Sequence, residues 1–150
     1  FTQYYGSKGL DAALLLIPAV GFLPAHDPRV RGTLAAVERE LLHDGFVRRY
    51  RPEDERVDGL PGGEGAFLAC SFWLVDAYYL TGQHARAHAL FRKLLAVAND
   101  VGLLAEEYDV ERRRLVGNFP QAFSHVALVN SARNLSAGTK PAEHRSGTAH

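Results

Sequence analysis

The chain has 150 residues, 47% of them hydrophobic, with 17 basic against 17 acidic side chains. That length fits one domain with a sizeable core, and the balanced charge leaves no electrostatic footprint for nucleic acid or an anionic membrane surface. The lone Cys70 excludes an internal disulfide framework and a cysteine-based metal cluster.

No apolar run is long enough to span a bilayer, and the N-terminus lacks the basic-then-apolar order of a signal peptide, so the sequence reads as cytoplasmic. It contains no methionine and begins at Phe1, from which we expect part of a longer or processed polypeptide.

In chain order, residues 1–9 form an aromatic, glycine-punctuated entry. DAALLLIPAV (residues 11–20) is apolar enough to predict a buried helix that Pro18 ends or kinks. Asp27-Pro28 then gives a helix start, and Val30, Leu34, Val37 and Leu41 recur at helical spacing until the helix closes at residues 43–45. Residues 46–65 (FVRRYRPEDERVDGLPGGEG) read as a long polar loop. Such a loop is either a solvated charge run or a polar rim in which its arginines and carboxylates, from Arg48 to Glu64, hydrogen-bond sugar hydroxyls or another polar ligand and Tyr50 offers a stacking face.

AFLACSFWLVDAYYL (residues 66–80) is apolar nearly all round, with Asp76 its only charge, and predicts a helix buried on most sides. Cys70 and Trp73 within it read as core residues. An amphipathic helix follows from about residue 83 to 101, so a buried helix precedes an outer one, as in a double-layered helical array. Gly102 breaks that helix. Glu106 and Glu107 then stand side by side in a short irregular segment with Tyr108 and Asp109, and Pro120 suits the first turn of a last helix running to about Leu135. His125 on that helix reads as a hydrogen-bonded wall residue. Residues 136–150 are small, polar and unpatterned and read as a disordered tail.

The histidines offer no ligand spacing except His84 and His88, which fall on an exposed face, and Gly62-Gly63-Glu64-Gly65 lacks the Lys and Ser/Thr of a phosphate loop. No metal and no cofactor are expected.

Two strings, DGLPGGEGAFLACSFWLVDAYYLTG and GLLAEEYDVERRRLVGNFPQAFSHVALVNSA, resemble the C-terminal portion of glycoside hydrolase family 15, which contains glucoamylases and a bacterial trehalase branch. Residues 1–41 are similar to the segment that precedes those motifs, so the likeness runs over residues 1–135. It implies an all-α fold, an incomplete (α/α)6 toroid of antiparallel helical hairpins, and an inverting, exo-acting hydrolase of α-glucosidic bonds. The AEEYD match places the general base on Glu106. Glu107 falls where related glucoamylases carry an amide, and an inverting pair of carboxyls stands roughly 6.5–9.5 Å apart, so two neighbours on one loop are not the two partners. The glucose-gripping arginine matches Arg49-Tyr50-Arg51, with Arg49 favoured and Arg51 open, and Glu64 and Glu107 join the expected substrate contacts.

Nothing in the chain corresponds to the tryptophan-rich segment that bears the family's general acid. About five helices stand where a closed toroid needs twelve, which implies about the last third of such an enzyme, inactive alone. Which α-glucoside is cleaved, and in what oligomeric state, stays open. A second reading takes YYLTGQHARAHALFRKLLAVA as one tetratricopeptide-type hairpin of a binding scaffold, although no second copy occurs at that repeat's period.

Overall fold

The computed structural model describes residues 1–51 and 65–136. Of the expected tail Ser136 still belongs to the last helix, and residues 137–150 and Glu64 lie outside the described residues. Within the described residues helices dominate, as the fold-class expectation has it, and a few short strands join them.

The first apolar segment forms only a 3-10 turn, Ala12–Leu16, rather than a helix over residues 11–20. Asp11 Oδ1 caps it by accepting the Ala13 N–H at 2.7 Å. Pro18 has no N–H with which to extend the ladder. Leu10, Ala12 and Leu15 are buried as expected, whereas Val20 is left exposed.

Helix α1 (Pro28–Glu40) starts where the sequence places it: Asp27 Oδ1 accepts the Arg29 N–H at 2.8 Å and Pro28 opens the first turn. It ends before the expected boundary because the next residues form a hairpin. Strand β1 (Leu42–His43) pairs antiparallel with β2 (Phe46–Val47) across Asp44-Gly45, whose φ angles are 45° and 76°. Two consecutive left-handed residues are what a tight two-residue hairpin turn requires, and Asp-Gly supplies them. The segment expected as a wholly polar loop therefore begins with two core residues, Phe46 and Val47.

Strand β3 (Ala66–Phe67) leads directly into α2 (Leu68–Leu80), the central helix. Phe72, Leu74 and Val75 on it are fully buried, and it packs against α3 (His84–Leu95) on one side and α4 (Ala122–Ser136) on the other. This is the buried-then-amphipathic order that the apolar pattern predicts. Tyr78 ties three helices together: its hydroxyl donates to Glu38 Oε1 at 2.7 Å, and the Arg86 guanidinium pairs with Glu38 while lying 4.1 Å over the Tyr78 ring.

Helix α3 stops at Leu95, six residues short of the expected end. Asn99 then captures the chain, its Oδ1 accepting the N–H groups of Val101 (3.2 Å) and Leu103 (2.8 Å), so side-chain bonding replaces the helix ladder. Instead of a second helical hairpin, the chain next forms β4 (Glu107–Asp109), held between β3 and β5 (Arg114–Val116) in an antiparallel sheet. The repeat reading is not favoured, and of the segment expected to be irregular Glu107–Asp109 form a strand while Glu106 stands at a bend before it. The Phe119–Pro120 peptide is cis, and α4 begins at Ala122, so Pro120 precedes the helix instead of opening it.

Candidate active site

The site forms where β4 meets the N-terminal ends of α2 and α4. Its backbone is bonded on three sides. Leu104 N–H donates to His125 Nε2 (3.3 Å) and Leu104 O accepts from Gln121 N–H (2.9 Å). Ala105 O accepts from the buried Ser124 hydroxyl at 2.8 Å. Glu106 N–H donates to Asn118 O (2.9 Å), and Glu106 O accepts from Leu68 N–H (3.0 Å). The polar residues of GNFPQAFSH, which in the sequence signal only a helix entry, thus hold the main chain that carries the carboxylates. His125 is hydrogen-bonded through both ring nitrogens. Its Nδ1 lies 2.7 Å from Gln121 O, so that nitrogen carries the proton and Nε2 is left to accept.

The two adjacent carboxylates have different partners, Glu106 standing at a bend and Glu107 opening β4. Glu106 Oε2 accepts the Asn118 N–H at 3.2 Å, on the β5–α4 side. Glu107 Oε2 accepts the Gly65 N–H at 2.8 Å, on the β3 side. Gly65 is needed there because a Cβ at that position would meet Tyr108 O at 2.9 Å. Tyr108 in turn stacks on Phe46 at 4.6 Å between centroids, which docks β4 against the hairpin.

Arg49 follows that hairpin. Its carbonyl accepts the Ala12 N–H at 2.8 Å, its guanidinium lies 4.0 Å from Asp11 and 5.7 Å over the Tyr50 ring, and it is half exposed. Arg51 instead pairs with Glu40 at the end of α1, at 2.6 Å. Burial pushes the Cys70 thiol up to about 12, reinforced by the Asp11 and Glu107 charges and opposed by Arg49. Cys70 is therefore an inert core residue, and Arg49 is grouped with Asp11 by their 4.0 Å approach. In the sequence Asp11 marks only the start of an apolar segment. The Asp-Gly turn, which fixes where the arginines after it lie, is the signal that could have found this grouping.

Among the described residues no group of three or more histidine, cysteine, aspartate or glutamate side chains is placed to hold a metal. No helix among them is long and apolar enough to cross a membrane.

The family model of the glycosyl hydrolases family 15 matches residues 1–133. The chain is 51% identical over 131 residues to a trehalase of Mycobacterium tuberculosis and 52% identical over 130 residues to a trehalase of Mycolicibacterium smegmatis. A trehalase of Thermoplasma volcanium is 43% identical over 136 residues. These matches cover 87–90% of this chain but only 19–21% of the relatives, so the chain spans about a fifth of their length. Among solved structures, a glycosidase variant in complex with glucose matches with a TM-score of 0.73 and 26% identity, over 90% of this chain and 38% of that one. A second variant glycosidase gives the same TM-score at 24% identity.

Proposed function

The chain belongs to glycosyl hydrolases family 15, and from that membership we propose that it carries the general base, Glu106, of an inverting, exo-acting α-glucoside hydrolase. The assignment rests on the AEEYD match, and one observation supports it: main-chain bonds on Leu104, Ala105 and Glu106 hold the backbone of Glu106, while its neighbour Glu107 is turned to Gly65. A carboxylate whose backbone cannot shift is suited to draw a proton from a water held at a set distance from the anomeric carbon. Glu107, turned the other way, belongs to the glucose-binding wall.

Inversion needs a second carboxyl on the far side of the sugar, to protonate the leaving oxygen. That acid belongs to a part of the enzyme outside these 150 residues, and the described hairpins are one arc of an (α/α)6 toroid completed by that part. The 150 residues alone are therefore inactive. Arg49 is the arginine that grips the non-reducing glucose. Its guanidinium lies 4.0 Å from Asp11, whereas Arg51 is engaged by Glu40 on α1 at 2.6 Å. Tyr50 gives the ring a stacking face, and Glu64 completes the rim.

Trehalose is the first substrate to test, because the relatives named above are trehalases. Inversion at one centre of an α,α-linked disaccharide releases one β-glucose and one α-glucose. Proton NMR of the full-length enzyme's first products should show both anomers in equal amounts. Two α-glucoses would mean retention and would remove the base assignment.

A further inference from the structure

Resting on Glu106 as the base, we propose that Gly117 and Asn118 are its positioning residues, setting where the carboxylate stands. Asn118 bonds Glu106 twice, accepting its backbone N–H at 2.9 Å and donating its own N–H to Oε2 at 3.2 Å. One carboxylate oxygen is thereby assigned to the protein and the other is left to address water. Gly117 makes this possible in two ways. Its φ of +77° is a left-handed conformation, which turns the Asn118 N–H back toward Glu106. It also leaves room, since a Cβ there would lie 3.1 Å from both Glu106 Cβ and Glu106 Oε2. Any side chain at this position pushes the carboxylate by a few tenths of an ångström, in a reaction where small misplacements of the reacting groups are costly.

The fold contains a matched control. Gly82 has nearly the same φ, +81°, but a Cβ there would meet nothing within 4 Å. Gly117→Ala and Gly82→Ala thus impose the same backbone strain, and only the first touches Glu106. In the full-length enzyme acting on trehalose, Gly117→Ala should lower kcat by roughly ten- to a hundred-fold with KM nearly unchanged. Gly82→Ala should keep wild-type kcat and KM while losing a similar amount of thermal stability. If Gly117→Ala does not fold, Gly117→Asn tolerates positive φ and still sets a Cβ against Glu106, so the same kcat loss is expected. A kcat for the Gly117 variants equal to that of Gly82→Ala, or a rise in KM alone, would overturn the proposal. Glu106→Gln, measured alongside, separates the two claims. If it keeps turnover, the base reading falls and takes this inference with it. If it loses turnover while the Gly117 variants keep theirs, only the positioning inference falls.

Discussion

Replacing Asp76 by Asn should change how the stability of the fold depends on pH. Asp76 is the only charge on α2 and is 7% exposed, facing α4, where Asn134 donates to its Oδ1 at 3.0 Å. The nearby Ser131 hydroxyl donates to Phe72 O at 3.1 Å. Burial pushes the Asp76 carboxyl from 3.8 up to about 6, with the Asn134 amide and the Ser131 hydroxyl pulling the other way. A carboxyl whose folded value is raised binds its proton more tightly folded than unfolded. Its contribution is therefore greatest below about pH 4, declines as pH rises to about 6, and is level above that. The gap corresponds to about 3 kcal/mol, at about 1.4 kcal/mol per pH unit.

Asn keeps the shape and an acceptor for Asn134 but cannot ionise. Stability measured by urea unfolding from about pH 4.5 to about pH 7.5 should therefore fall less steeply for Asp76→Asn than for wild type. Taking the difference between the two proteins at each pH cancels every other titrating group. A difference that does not vary across this range would refute the reasoning, and would mean that the α2–α4 crossing accommodates the charge.

Three further substitutions probe the site. Ser124→Ala leaves the buried Ala105 carbonyl without its 2.8 Å donor and should cost about 1–3 kcal/mol in urea unfolding, an effect absent if water replaces the hydroxyl. Arg49→Ala in the full-length enzyme should lower kcat/KM by roughly ten- to a hundred-fold, the loss of a charge-assisted hydrogen bond to glucose, whereas Arg51→Ala should stay within about threefold. The opposite ranking in steady-state kinetics would move the sugar-gripping role to Arg51.

The helices are legible in the sequence because their signals are local. Asp27-Pro28 caps α1, and the all-apolar stretch around Phe72 marks α2 as the central helix. The strands are not, since β1 to β5 are two or three residues each, too short for alternation to register. The hairpin at Asp44-Gly45 does leave a dipeptide signal, which the preceding helical periodicity masks. The end of α3 is hard to place because Val97 and Val101 continue the apolar pattern while Asn99 already bonds the chain elsewhere.

At the site, the sequence marks Glu106, Glu107 and the arginines as residue types, and the family resemblance gives them roles. It cannot show that Asn118, Gln121, Ser124 and His125, each 12 or more residues after Glu106 in the chain, grip the backbone of residues 104–106. Contacts of that kind are made only when α4 folds back onto the segment before β4, and no periodicity records them.

The central claim is that of two adjacent carboxylates only Glu106 acts as the base, and Glu106→Gln and Glu107→Gln in the full-length enzyme test it most directly. Both changes remove a charge and preserve shape. Initial-rate kinetics on trehalose should show kcat for Glu106→Gln reduced by roughly 10²–10⁴ with KM little changed, the loss expected for a general base. Glu107→Gln should be milder and expressed mainly in KM. A larger loss of kcat from Glu107→Gln than from Glu106→Gln would contradict the account.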